Sequence, residues 1–221
     1  MLKEYLEVYR LSIVVVGNFN PVIIQPFWLA QKKLIREQEA QDAVVEIIHP
    51  SIVKFKLDWC EFEIGTERME VRTSRDALFD ALNDLVKSIF GILKETPVKA
   101  VGLNHLLYYA MPDEERYYEV GNRLGGLTNW KRLFKDPRLF ILDVGEVQRS
   151  DGKMGSKRIR VAPADIPLPT PYSLLVYIND HFDLSDGVRG LQTLLKEDFA
   201  ESVASASEVP GVLWEVMNAT K

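Results

Sequence analysis

Alternating apolar and polar residues mark the clearest β-strands of the chain. In residues 53–59, Val53, Phe55, Leu57 and Trp59 alternate with two lysines and an aspartate, the pattern of a strand that buries one face. The phase slips at Trp59–Cys60, and one residue of register would exchange the two faces, so we expect a turn or a bulge there. Two longer runs predict strands buried on both faces: 8–18, which becomes fully apolar at Ile13–Val16, and 98–110, which is apolar on both faces.

Helical periodicity separates these strands. A helix is predicted over 25–40 with Phe27, Ala30, Leu34 and Gln38 on one face, and Thr73–Asp76 has the form of a capping box that opens a second helix. The remaining predicted elements are a short strand at 44–48, a strand through Met69 and Val71, helical pieces at 113–122 and 127–135, a hairpin of 139–149 with 157–161, a strand at 172–184 and a last helix over 185–199.

The order of these elements repeats, which predicts the fold class. A strand, helical turns, several antiparallel strands and a long helix fill 1–97, and a similar series fills 98–205. We therefore predict a single α+β domain over 1–205, an antiparallel sheet with helices packed on one face. Two pseudo-symmetric halves, as in a TATA-binding-protein-like saddle, are one way to build it, and a helix-grip arrangement is the alternative. Residues 206–221 are predicted as a tail that docks on the domain or on a partner.

Composition narrows the classes of protein. The chain has 221 residues, 47% of them hydrophobic and 27% charged, an ordinary globular balance. Its net charge of −5 argues against a dedicated nucleic-acid binder. The one cysteine excludes an intrachain disulfide and suggests a cytoplasmic protein. We expect no membrane span, since no apolar run approaches the roughly 20 residues that one needs.

A polar stripe near the end of the chain is the first candidate site. Strand alternation over 172–184 places Tyr177, Asn179, His181 and Asp183 on one face. An imidazole between an amide and a carboxylate suits acid–base chemistry or ligand binding. A solvated sheet face is the competing interpretation. Asp180 falls on the apolar face, so we expect an arginine partner or a bulge there.

A basic segment is the second candidate. Arg149, Lys157, Arg158 and Arg160 lie around the turn at Asp151–Gly152, and such a hairpin suits phosphate contacts. The competing interpretation is an edge hairpin that its charges keep soluble.

The other chemistry-bearing residues favour structural roles. Gly17–Asn18 lacks the further glycines of a phosphate loop, and we expect it to let the chain turn, since both residues tolerate positive φ. His105 is predicted as a hydrogen-bonded core histidine and Cys60 as a buried, inert thiol. The three histidines and the cysteine show no metal-ligand spacing, so we expect neither a metal nor a cofactor.

Four sequence words together resemble a known family. The words are GNFNPVIIQPFWLA, VGLNHLLYYA, RSDGKMGSKRIRV and LLVYINDHFDL. They are similar to those of a sporadically distributed bacterial family in which G-N-F-N-P, G-x-N and N-D-H-F recur in this order. The matching positions are Gly17, Asn18, Asn20, Pro21, Gly102, Asn104, Asn179, Asp180, His181 and Phe182. The chain has His105 where the family has a basic residue. The resemblance implies a cytoplasmic bacterial protein, of mobile-element or defence context, and carries over no catalytic residue.

Three functions stay open at this point. The first is a non-enzymatic interaction protein that associates with itself or with a protein partner, supported by aromatic residues near the chain ends (Trp28, Trp130, Trp214) and by the apolar segment Val212–Trp214–Val216. The second is nucleic-acid binding through the 149–160 hairpin. The third is an enzyme centred on Asn179, His181 and Asp183.

Overall fold

One antiparallel sheet organises the chain. The structure, a computed structural model, describes residues 2–219, with side chains from residue 4 to residue 215. Within these residues nine strands pair in the order β2-β3-β4-β5-β1-β6-β9-β8-β7. The strands are β1 Leu6–Gly17, β2 Val44–His49, β3 Ile52–Lys56, β4 Glu61–Gly65, β5 Arg68–Thr73, β6 Val98–Ala110, β7 Leu142–Glu146, β8 Gly155–Pro163 and β9 Ser173–Asp183. The predicted α+β fold is confirmed.

The helices cover one face of this sheet, as predicted. They are α1 Pro26–Gln31, α2 Glu37–Gln41, α3 Phe79–Ile92, α4 Glu114–Leu124, α5 Gly187–Glu197 and α6 Phe199–Ala219. Every second residue of the central strands, such as Leu11, Ile13 and Val15 of β1, is buried in a core with α3 and α5. A second core joins β6, β8 and β9 to α4 and α6. We call the other side of the sheet the open face.

The strand order divides the sheet into two halves that follow each other along the chain. β1 and β6, the first strands of the two halves, pair with each other at the centre of the sheet. Outward from this pair, the first half adds β5, β4, β3 and β2, and the second half adds β9, β8 and β7. The words Gly17–Asn18 and Gly102–Leu103–Asn104 belong to the first strands of the two halves but lie at different points, because Gly17 ends β1 whereas Gly102 lies within β6.

Gly17 is required for a close approach rather than for positive φ. A Cβ at this position would lie 2.4 Å from the carbonyl oxygen of Pro97. The amide of the next residue, Asn18, donates to the same oxygen at 2.9 Å. Neither Gly17 nor Asn18 adopts the positive φ that both residues tolerate.

The prediction of one continuous helix over 25–40 is wrong. The chain forms two short helices, α1 and α2, separated by Lys33 in a left-handed conformation with φ of 58°. The buried residues of α1 are Pro26 and Leu29, whereas Phe27, which the prediction placed on the apolar face, is exposed. A hydrogen bond from the Leu34 amide to the Leu29 carbonyl closes α1 at this point.

Two further helix boundaries differ from the prediction. A 3-10 turn, Asp76–Leu78, precedes α3, and Thr73 accepts from the Arg75 amide at 3.2 Å instead of completing a capping box. α6 runs through the predicted domain boundary at residue 205 and lays Ala206 and Val209 on the second core. Val212 of the predicted apolar tail segment is exposed and Trp214 packs on this core, whereas Val216 lies outside the residues whose side chains are described.

Candidate functional site

Strand β9 divides the predicted site residues between the two faces of the sheet. Tyr177, Asn179, His181 and Asp183 lie on the open face, as the alternation predicts, while Asp180 points to the helices. The words G-x-N and N-D-H-F meet on the open face, because Gly102 pairs with His181 and Asn104 with Asn179. Sequence spacing alone gave no sign that these two words are neighbours.

The open-face amides hydrogen-bond to one another. The Oδ1 atom of Asn104 accepts from the Tyr177 hydroxyl at 3.0 Å and from Nδ2 of Asn179 at 2.5 Å. His181 lies next in the row, with Nε2 3.2 Å from Oδ1 of Asp183, and both side chains are partly exposed. The group can meet a polar ligand, but much of its hydrogen-bonding capacity is already used inside the chain.

The four basic residues of the predicted hairpin do not share one surface. Arg158 and Arg160 lie on the open face, and both pair with Asp143 of the neighbouring strand β7. The hydrogen bond from Arg158, reinforced by Arg160, lowers the pKa of Asp143 to about 2. Arg149 and Lys157 point to the helix side instead, where Lys157 donates to the Ser205 hydroxyl at 2.7 Å.

Arg149 is the arginine partner that the sequence predicts for Asp180. Its guanidinium pairs with both Asp180 and Asp151 and lies 3.9 Å from the ring centroid of Phe182. Burial alone would lower the pKa of Arg149, but hydrogen bonds to the two carboxylates raise it, so the group stays charged. The same contact lowers the pKa of Asp151 to about 2.

A buried hydrogen-bond chain continues from Asp180 to the centre of the sheet. The Ser202 hydroxyl lies 2.7 Å from Oδ2 of Asp180 and 3.0 Å from Nε2 of His105. The other ring nitrogen of His105, Nδ1, lies 2.8 Å from the Tyr9 hydroxyl. His105 is therefore the hydrogen-bonded core histidine that the sequence predicts.

The positions of the protons in this hydrogen-bond chain argue against a serine nucleophile. Burial lowers the pKa of His105 to about 4, so the ring is neutral near pH 7 and carries one proton. Ser202 has one proton, which it donates to Asp180, and it therefore accepts the Nε2 proton of His105. A histidine that activates a serine must accept the hydroxyl proton, which is the opposite direction.

A small cavity lies beside the hydrogen-bond chain of Asp180 and Ser202. It has a volume of about 140 Å³ and is lined by the residues Glu146, Arg149, Ser150, Asp151, Lys157, Asp180, Phe182, Asp198, Glu201, Ser202 and Ser205. Its buried charges are paired with each other, and the described residues contain no group of histidine, cysteine and carboxylate side chains suited to a metal ion. Cys60 is buried elsewhere, and burial raises the pKa of its thiol.

The two ends of the sheet expose apolar side chains. β2 and the turn before α1 expose Val22, Ile23, Phe27, Val44, Val45, Ile47 and Ile48 at one end. β7 and the residues directly beside it in the chain expose Phe140, Ile141, Val144 and Val147 at the other. These surfaces could not be predicted from the sequence, since an apolar residue in a predicted strand does not show whether its strand lies at an edge.

Comparisons with known proteins name no relative. No protein-family model matches the chain, and no curated protein matches it significantly. No helix within residues 2–219 has both the length and the apolar character needed to cross a membrane. The resemblance to the bacterial family stays a prediction, and a function has to be argued from the surfaces just described.

Proposed function

We propose that the protein is a non-enzymatic interaction protein that associates with itself through the ends of its sheet. One observation carries the proposal: apolar side chains are concentrated on and around the two edge strands. In β2, Val44, Val45, Ile47 and Ile48 are 42% to 60% exposed. An exposed apolar edge strand is a template for pairing with another chain, and natural proteins usually block it with charges, proline or a covering element.

Contiguity strengthens this argument. Val22 and Ile23 contact the β2 region, and Phe27 of α1, 71% exposed, adds an aromatic ring. Isolated apolar residues on a surface need no explanation, whereas a contiguous apolar patch is typical of an interface. Backbone groups at a sheet edge add directional hydrogen bonds, so association there joins apolar burial to strand pairing.

The open face offers less to nucleic acid. Its lysines and arginines alternate with acids on neighbouring strands, as in the pairs Lys54–Glu63 at 2.9 Å and Arg72–Glu61 at 2.7 Å. A phosphate that approached these cations would meet a carboxylate beside each of them. Nucleic-acid binding draws its affinity from unneutralised cations, so this pattern favours a protein partner over a phosphate backbone.

Light scattering coupled to size exclusion tests the proposal on the intact protein. We expect a mass above the 25.3 kDa of one chain at tens of micromolar, falling towards that value on dilution. Ile47→Lys and Val144→Lys place a charge at each end of the sheet, and at least one should reduce the association.

Val212→Lys is the matched control, because Val212 is equally exposed but lies on α6, away from both edges. It should leave the mass unchanged. A wild-type protein that stays at 25.3 kDa throughout this range, with no protein co-purifying from its host, would contradict the proposal.

A further inference from the structure

The two halves of the sheet differ by one strand. Counting outward from the central pair, β3 of the first half corresponds to β7 of the second. The first half continues to β2, but β7 is the last strand of the second half within residues 2–219. The chain before β7, residues 133–141, contains Pro137 and forms no strand. The second half therefore has an edge where the first half has a further strand.

Apolar residues surround this edge. Phe140, Ile141, Val144 and Val147, which lie on and beside β7, are 55% to 85% exposed. They occupy the side of the sheet where the first half is covered by β2. A strand that paired with β7 would bury these side chains and use the free backbone groups of the edge.

The charges at this edge are unequal. Arg158 and Arg160 of β8 share one carboxylate, that of Asp143 on β7, which leaves one positive charge in excess. Gly145 pairs with Arg158 across the two strands, and a Cβ at Gly145 would lie 3.8 Å from Cβ and Cγ of Arg158. Because Gly145 has no side chain, Arg158 has an open path over β7 towards the outer edge. A carboxylate opposite Gly145 on a strand beside β7 would therefore lie on the open path of Arg158.

We propose that this strand is β7 of a second copy, paired antiparallel about a twofold axis at Val144. This inference rests on the proposed self-association and names the surface that performs it. In this register Val144 lies opposite its own copy, and Asp143 of each copy lies opposite Gly145 of the other. Each Arg158 then reaches the second copy's carboxylate, so two aspartates face four arginines across one continuous surface, and the two sheets form a single longer sheet.

The twofold arrangement closes on itself. Both copies use the same edge, so β7 pairing itself closes at two copies, as in most homodimers, and the two β2 edges lie at the outer ends of the joined sheet. Pairing of β7 with β2 of another copy would leave a free edge at each end and would continue as a filament. A pair closed through β7 therefore predicts the mass of two chains, whereas β7–β2 pairing predicts a mass that keeps growing with concentration.

A charge exchange tests the register. Asp143→Arg alone should weaken association at least tenfold, because it places a cation opposite the arginines of the second copy, and the double change Arg158→Asp with Arg160→Asp should do the same with carboxylates. Mixing the two variants should restore a dimer that contains one copy of each, since every contact between the copies is again of opposite sign. Circular dichroism of each variant shows that it remains folded.

Cross-linking gives a second readout that does not depend on charge. Directly opposed residues of antiparallel strands have Cα atoms about 4.5 to 5.5 Å apart, within the range of a disulfide. Val144→Cys should therefore form a covalent dimer under mild oxidation, whereas Val212→Cys should not. The native Cys60 is buried and is expected to stay reduced.

The outcomes separate this inference from the proposed function. Recovery of the mixed dimer together with the Val144→Cys cross-link supports pairing through β7. If the protein associates but Asp143→Arg leaves the association unchanged while Ile47→Lys abolishes it, the β7 register is wrong and self-association stands. A wild-type protein that never exceeds one chain's mass overturns both.

Discussion

Replacing Arg149 by methionine tests whether the buried ion pair ties the β7–β8 loop to the sheet. The Arg149 and Asp180 side chains are only 6% and 4% exposed. Methionine keeps much of the side-chain volume but leaves the Asp180 carboxylate with the Ser202 hydroxyl as its remaining side-chain partner. Removing one member of a buried pair costs about 3 to 5 kcal/mol, because the other charge is left uncompensated. In a chain of this size that corresponds to a fall of roughly 6 to 20 °C in Tm.

Urea unfolding followed by circular dichroism measures this loss, and a double-mutant cycle assigns it to the pair. Asp180→Leu on its own should also be strongly destabilising, whereas the double variant Arg149→Met, Asp180→Leu should lose less than the sum of the two. Arg75→Met is the control, since the Arg75–Asp58 pair has a similar 2.8 Å contact but is exposed. Its midpoint should stay close to that of the wild type. If Arg149→Met behaves like Arg75→Met, the pair does not stabilise the fold.

Three further predictions follow from buried groups and glycines. Burial lowers the pKa of His105 to about 4 in the folded protein, so the unfolded chain binds this proton first as the pH falls. Acidification from pH 6.5 to pH 4 should therefore lower the free energy of unfolding by an amount on the order of 3 kcal/mol. The urea midpoint of His105→Gln should change less with pH over this window. The Tyr109 hydroxyl is buried without a hydrogen-bond partner among the described residues, so Tyr109→Phe should leave Tm unchanged or raise it. Tyr9→Phe removes the hydrogen bond to His105 and should lower the unfolding free energy by about 1 kcal/mol. Gly155 has φ of 131°, and a Cβ there would lie 2.1 Å from the His181 carbonyl oxygen, so Gly155→Ala should lower the unfolding free energy by more than about 2 kcal/mol. Gly91 lies on α3 with open space around it, so Gly91→Ala should raise the unfolding free energy by about 0.5 to 1 kcal/mol. Equal urea midpoints for the two alanine variants would refute this reasoning.

The strands were predictable because their burial is periodic. Val53 and Phe55 face the helices while Lys54 and Lys56 face the open side, and the sequence shows this directly as an alternation of apolar and charged residues. The predicted turn after this strand is confirmed, since the Leu57 amide donates to the Cys60 carbonyl at 2.9 Å. The long strand Val98–Ala110 matches its predicted bounds for the same reason.

The helices were harder because short-range pattern did not determine where they end. Nothing in a lysine indicates positive φ, so the break at Lys33 could not be read from residues 25–40. Residues 205–219 are rich in serine and alanine and contain Pro210, which favoured a tail, yet they continue the long helix α6. Where these helices end is decided by contacts with a core that is assembled from strands distant in the sequence.

The site was predictable in kind but not in its pairings. The period of two placed Asp180 on the apolar face and so required a partner, but only the fold shows that this partner is Arg149, 31 residues away. The neighbours Asp143 and Ser202 were missed, since each becomes important only through a contact with a distant residue. No property of residues 142–146 in isolation reveals that β7 ends the sheet.

The polar words and the apolar edges therefore have different roles. Gly17 accommodates Pro97, Asn104 binds Tyr177 and Asn179, and Asp180 binds Arg149, so the most distinctive words of the sequence are occupied within the fold. A side chain whose charge and hydrogen bonds are satisfied inside its own chain gains little from a ligand, because binding must first break those contacts. The apolar side chains of β2 and β7 have no such contacts to lose and gain stability only when they are covered. For this reason we expect substitutions of Gly17, Asn104 and Asp180 to act on folding, and substitutions at the two edges of the sheet to act on association.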